Sequence, residues 1–205
     1  MLIYSIYHFG FLWGIFSVVL FFPFIAISLA VHEFGHAFAA YLYGDDTAKN
    51  QGRLTMNPLK HLDFYGTILM LFVGIGYAKP VPIQVHKFRK LKEGYFVVSI
   101  AGIVGNLLMF TAAGIIGRFL PEYLKFIPQL IMLINASLAI FNLFPIFPMD
   151  GGRILECISD KGRNISVWLT KNNLVALALM LFSAFYILPF LSTNVINPVI
   201  NAILF

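Results

Sequence analysis

The chain has 205 residues, 60% of them hydrophobic and only 11% charged, with a mean hydropathy of +0.85. Soluble domains run near 25% charged, so this composition excludes disorder and a soluble globule, and it fits a single compact membrane domain over 1–205. The net charge of +5 comes without a basic helix or aromatic–basic interleaving, which argues against nucleic acid; the single cysteine, Cys157, excludes an internal disulfide and a Cys-rich metal site.

The N-terminus is apolar from the start and lacks the basic region of a signal peptide, so the run 11–43 reads as a retained membrane span. Pro23 offers a place to break it, and residues 1–22 could form an interfacial lead-in or a separate short membrane segment. Within this run lies His32-Glu33-Phe34-Gly35-His36, an H-E-x-x-H pattern. Residues four apart share a helix face, so His32 and His36 can offer two imidazoles to one metal ion. Glu33 lies beside them, within reach of a water bound to that metal. Three ionisable side chains at membrane depth are costly, which makes this stretch a functional site by default. Gly35, Ala37, Ala39 and Ala40 suit close helix packing. Gly44 is a plausible helix C-cap.

Further apolar runs occupy about 62–78, 94–117, 126–149 and 172–191. Of the 14 Lys and Arg, eight lie in 44–93 and four in 153–171, leaving only Arg118 and Lys125 elsewhere. The positive-inside rule then places 44–93 and 153–171 in the cytoplasm and 118–125 outside. The first helix runs inward, 94–117 outward, 126–149 inward and 172–191 outward. The run 62–78 has basic flanks at both ends and contains Gly66, Gly74 and Gly76. It is expected to dip into the membrane and return through an extended stretch, Ala78-Lys79-Pro80-Val81-Pro82-Ile83; a short full span is the alternative. The fold expected is all-α and multi-spanning, with about four to six membrane segments and a re-entrant or extended β-like element around 62–86. His61 and His86, among basic loop residues, are expected to be solvated or to face lipid headgroups.

A catalytic zinc takes three protein ligands and keeps one open position. Carboxylates in or beside the apolar runs are few, among them Asp63 and Glu122, and Asp150 stands out. It ends Asn142-Leu143-Phe144-Pro145-Ile146-Phe147-Pro148-Met149-Asp150 and precedes Gly151-Gly152-Arg153. The two prolines stop helix continuation and the glycines free the backbone, so a carboxylate is presented from unwound chain at a helix end. The charge pattern puts that end on the cytoplasmic side, towards which His32 and His36 also point. His36 lies roughly 11 Å from the end of its helix, so the three can meet at shallow depth.

The pair H-E-F-G-H and N-L-F-P-I-F-P-M-D-G-G-R resembles the site-2 protease family of intramembrane metalloproteases. The stretches Gly52–His61 and Ala78–Pro82 are similar to its compact branch, which lacks an appended peptide-binding or regulatory domain. The resemblance covers about 25–190. It implies zinc held by His32, His36 and Asp150, with Glu33 as general base and Asn142 against the substrate backbone or scissile carbonyl. The family's Ala-Gly-Pro-x-x-Asn pattern reads here Ala101-Gly102-Ile103-Val104-Gly105-Asn106, with Ile103 in place of proline.

Zinc would lower the pKa of its water to about 7, Glu33 would take the proton and return it to the leaving amine, and Asn142 or Asn106 would help meet oxyanion charge. Asn106 and Asn142 could instead serve interhelical hydrogen bonding. Lys79, Pro80, Val81 and Pro82 are the expected edge for an unwound substrate, with the prolines leaving one side free to pair. The expected function is an intramembrane zinc endopeptidase of the cell membrane, cutting transmembrane segments of protein substrates near the cytoplasmic side of the lipid bilayer. A silent partner-binding protein of the same fold, or a metal transporter, are the rivals. Glu33 and a full ligand set speak against the first, and helices almost bare of polar residues beyond Asn106 speak against the second.

Overall fold

The computed structural model describes residues 7–8, 10–72 and 76–205. Among the described residues, four helices are long and apolar enough to cross a membrane: α1 (Phe11–Leu42), α3 (Leu91–Arg118), the region of α4 (Phe126–Leu143) and α7 (Asn173–Leu204). Between them lie α2 (Phe64–Phe72), α5 (Asp150–Ile158) and α6 (Asp160–Lys171). Among the described residues the only β-pairing is an isolated antiparallel bridge between Leu62 and Ala78. The protein is thus an all-α multi-spanning membrane protein.

Helix α1 has 32 residues, so it is about 48 Å long and exceeds a hydrocarbon core of about 30 Å. It continues through Pro23, which does not divide it. Pro23 sits on the exposed face, where losing one backbone bond leaves the rest of the ladder intact. Residues 11–22 therefore belong to the same helix as the H-E-x-x-H motif; residues 1–6 and 9 lie outside the described residues. The helix stops at Gly44, whose φ of +104° favours glycine, and the Arg89 N–H donates to the Tyr43 carbonyl at 2.9 Å.

Helix α3 packs antiparallel on α1 through small residues. A Cβ on Gly35 would lie 2.6 Å from the Ala101 carbonyl oxygen, so only glycine permits this approach. That meets the expectation of close packing and draws two backbones together where lipid provides no hydrophobic drive. Farther from the motif, Ala113 of α3, Met132 and Ala136 of α4, and Ile196, Ile200 and Leu204 of α7 form an apolar core. Helix α7 continues past the expected limit of 191 to Leu204. It passes Pro189 and Pro198 by way of wide turns at Ser183–Ile187 and Ser192–Ile196, which absorb the bonds that proline removes.

The run 62–78 makes a hairpin-like excursion. Helix α2 has nine residues, about 14 Å, less than half a hydrocarbon thickness. The chain then returns to its start: Ala78 bridges Leu62, and the Lys79 N–H donates to the His61 carbonyl at 2.7 Å. A Cβ on Gly66 would lie 2.1 Å from the Tyr77 carbonyl oxygen, so outgoing and returning arms touch. Both arms thus begin and end at one end of the bundle, as the re-entrant reading expects and a full span does not. Gly74 lies outside the described residues.

Candidate metal centre

Successive turns of α1 place His32 and His36 on one face, with ring centroids 4.7 Å apart. Helix α4 ends at Leu143, and the chain crosses Phe144–Met149 before Asp150 opens α5. Ile103 of α3, Ala139 of α4 and Ile154 of α5 pack together and dock this start of α5 against the bundle. Glycines at 151 and 152 permit the turn: a Cβ on Gly151 would lie 2.3 Å from the carbonyl oxygens of Leu143 and Phe144. Asp150 Oδ2 comes to 3.2 Å from His32 Nε2 and 3.0 Å from His36 Nε2, and the two Nε2 atoms are 3.1 Å apart.

These distances fit a metal ion. Tetrahedral zinc with bonds of about 2.0–2.1 Å separates its ligand atoms by about 3.3 Å. The chemistry of the atoms agrees. His36 Nδ1 lies 2.7 Å from the Val98 carbonyl oxygen, which can only accept, so Nδ1 carries the proton and Nε2 presents a lone pair. Asp150 Oδ2 is buried and accepts no hydrogen bond among the described residues. Lone pairs converging in a buried site repel unless a cation lies among them. Space is reserved for the rings as well. A Cβ on Gly102 would lie 2.3 Å from His36 Nε2 and 2.7 Å from His32 Nε2, so the backbone of α3 walls the site at a position only glycine can occupy.

Glu33 is buried beside the trio, and its Oε2 accepts the Val81 N–H at 2.9 Å; Oε1 takes no hydrogen bond among the described residues. The extended stretch expected near the site is therefore beside it. Arg53 fixes it further: its Nη2 donates to the Lys79 carbonyl at 2.6 Å and lies 3.4 Å from that of Pro80. Asp45 holds its far end, Oδ2 accepting the Gln84 N–H at 2.6 Å while Oδ1 accepts from the Thr47 N–H and hydroxyl. The edge expected to be unpaired is thus half taken, since the amides of Lys79 and Val81 bond within the protein. The Val81 and Pro82 carbonyls and both polar groups of Ile83 have no partner among the described residues. Val81, Ile83 and Val85, alternate residues of this segment, line one wall of a cavity of about 320 Å³. Tyr95, Val98 and Ser99 of α3 and Arg153 of α5 line the rest.

The two asparagines separate. Asn106 is wholly buried; its Oδ1 lies 2.7 Å from His32 Nδ1 and its Nδ2 donates to the Ser28 carbonyl at 3.3 Å and Asn135 Oδ1 at 2.9 Å. Both of its amide hydrogens are thus engaged within the protein, and Asn106 sits behind the candidate ligand His32. Asn142 is half-buried, with its Nδ2 bonded to the Leu138 carbonyl of its own helix, and it makes no hydrogen bond to the trio or Glu33. His61 also departs from expectation: it is fully buried, with Nε2 2.8 Å from the Thr55 carbonyl, and pins the 55–61 loop. His86 is exposed, as expected. Asp45 and Asn135 carry parts of the site that no motif marked, while Arg53 and Gly102 lie within the quoted stretches Gly52–His61 and Ala101–Asn106 without having been singled out there. For Arg53 and Asp45 the one available signal was a charge beside the apolar runs, and both prove buried.

Residues 103–186 match the model of peptidase family M50. The chain is 37% identical over 194 residues to "Putative zinc metalloprotease YwhC" of Bacillus subtilis, covering 87% of this chain and 84% of that one. It is 28% identical over 151 residues to "Zinc metalloprotease MJ0392" of Methanocaldococcus jannaschii, covering 73% of this chain and 35% of that protein. No solved structure matches.

Proposed function

The chain belongs to peptidase family M50, the site-2 proteases, and from that premise we propose that it is an intramembrane zinc endopeptidase that cuts transmembrane segments of other proteins near the cytoplasmic face of the cell membrane. The observation that carries this reading is the convergence of His32, His36 and Asp150 on one point, with the Glu33 carboxylate next to it and an extended segment resting on that carboxylate. His32 Nε2, His36 Nε2 and Asp150 Oδ2 would hold the metal. Bound there, zinc supplies a Lewis acid and a water acidified to a pKa near 7.

The chain's own groups do the rest. Glu33 Oε1 is free to take the proton of the attacking water and to return it to the leaving amine, while Oε2 is steadied by Val81. Substrate helices must unwind before their peptide bonds are accessible. The free carbonyls of Val81 and Pro82 and the free N–H and C=O of Ile83 offer an unwound segment main-chain partners, and the adjoining cavity offers room for a side chain. Asn142, at the end of α4, would approach the substrate backbone from the other side. The cytoplasmic assignment rests on the basic segments 44–93 and 153–171, which lie at the same end of the bundle as the trio.

The test is Glu33→Gln in proteoliposomes with zinc and a single-span model substrate. The variant keeps an oxygen for the Val81 N–H but cannot take the proton, so cleavage should fall by about 10²–10⁴ while zinc content stays at one per chain. Equal processing by variant and wild type would refute the reading.

A further inference from the structure

The geometry points to Asn135 and Ser28 as positioning residues that act through Asn106 to fix which nitrogen of His32 faces the metal. This rests on the zinc reading above. His36 needs no such device, because a backbone carbonyl fixes it directly. His32 Nδ1 instead meets an amide oxygen, and an amide can turn over: reversed, Asn106 would present an N–H₂ to the ring, draw the lone pair to Nδ1 and put the proton at Nε2, where the metal must bind.

Three backbone carbonyls, which can only accept, prevent this. The Ser28 hydroxyl donates to the Phe24 carbonyl at 2.8 Å, so its oxygen accepts from Asn135 Nδ2 at 2.9 Å. Asn135 Nδ2 gives its other hydrogen to the Ile131 carbonyl at 2.9 Å, which turns Asn135 Oδ1 towards Asn106. Asn106 Nδ2 then donates to Asn135 Oδ1 and to the Ser28 carbonyl, which leaves its oxygen for His32. Every donor in the chain has one acceptor and no hydrogen is left over. Ser28, Asn106 and Asn135 are each at most 1% exposed, so water does not offer an alternative arrangement. The proton position on a ligand of α1 is thus set by a side chain of α4, relayed through α3.

The test uses purified full-length protein in nanodiscs, with two readouts. Histidine ¹⁵N spectra of the metal-free protein report the tautomer, and competition with a chelating dye reports affinity for Zn²⁺. Wild type should show His32 as a single tautomer protonated at Nδ1. Asn135→Leu should give mixed tautomers and bind Zn²⁺ about 10–100-fold more weakly. Asn135→Asp, whose neutral acid keeps one oxygen for Asn106 and one O–H for Ile131 or Ser28, should behave as wild type. An unchanged tautomer and affinity in Asn135→Leu, or equal impairment in both variants, would overturn the relay. If Asn135→Leu does not fold, Asn135→Ser replaces it with the same two outcomes, since a serine bonded to its own helix cannot reach Asn106. Wild-type protein that binds no Zn²⁺ would instead sink the metal reading, and the tautomer spectra would still decide the relay.

Discussion

Replacing Gly102 with alanine sets two effects against each other. Alanine is better than glycine in a helix interior by about 1 kcal/mol, so a free position would gain from the change. This position is not free. The added Cβ would lie 2.3 Å from His36 Nε2, 2.6 Å from His32 Cε1 and 2.7 Å from His32 Nε2, where ordinary contact begins at 3.4 Å. The rings would have to retreat by about 1 Å, several times the tolerance of about 0.2 Å in metal–ligand distances. Overpacking costs about 1–3 kcal/mol, so the helix gain leaves global stability within about 2 kcal/mol of wild type. Metal binding has no such offset. Gly102→Ala should therefore fold, lose zinc on gel filtration and lower kcat/KM by about 10²-fold or more. Gly105→Ala is the control: its Cβ would lie 3.1 Å from the Val31 carbonyl and touch no ligand, so zinc content should not change. The assay is zinc per chain by mass spectrometry beside the thermal unfolding midpoint. A Gly102→Ala protein with one zinc and full activity would show that the wall of the site yields, and the reasoning from close approach would fail.

Arg53→Ala should loosen the segment at Lys79 and Pro80, raising KM about tenfold with little change in zinc content; Arg53→Lys should recover only part, because a shorter, freely rotating ammonium is not aimed at the two carbonyls as the planar guanidinium aims Nη2. Burial pushes the Asp45 carboxyl up, but the Gln84 N–H, Thr47 and Lys87 outweigh it and hold it below its usual 3.8. A depressed carboxyl contributes stability that is complete above its unfolded value and is lost as pH falls through the folded one. Protection from hydrogen exchange at 79–87, taken relative to the intrinsic rate at each pH, should thus be flat near neutrality and fall below pH 3.8, and Asp45→Ala should show the weakened protection at every pH. A zinc chelator should stop cleavage, and added zinc should restore it, as followed by substrate gel shift; activity that survives exhaustive chelation would contradict the metal assignment.

The spans were legible because each apolar run is long and the few charges between them are lopsided. The meeting of Asp150 with His32 and His36 was legible for the same reason, since charge gave the helices their directions. Helix ends at prolines were legible only in part: the helix before Asp150 stops ahead of Pro145 as expected, but other prolines end nothing. Pro23, Pro189 and Pro198 all lie inside helices, because membrane-exposed faces and wide turns absorb a missing donor that would end a helix elsewhere. Partners far apart in the chain were not legible either. Arg53 finds Lys79, Asp45 finds Gln84 and Ser28 finds Asn135 across 26, 39 and 107 residues. Asn106 was recognised as part of a motif, but its direction depends on three helices at once, which no spacing encodes.

The bridge between Leu62 and Ala78 closes the chain on itself just before the segment that reaches Glu33. What lies beyond that pinch is a removable module. Doubling the length of a closed loop costs only about 0.6 kcal/mol, so the 63–77 arm can lengthen, shorten or change composition while Lys79 and Val81 stay in place. Exchanging the arm between relatives should therefore transplant its surface character and leave the candidate metal centre intact, a route to chimeras built at one natural seam.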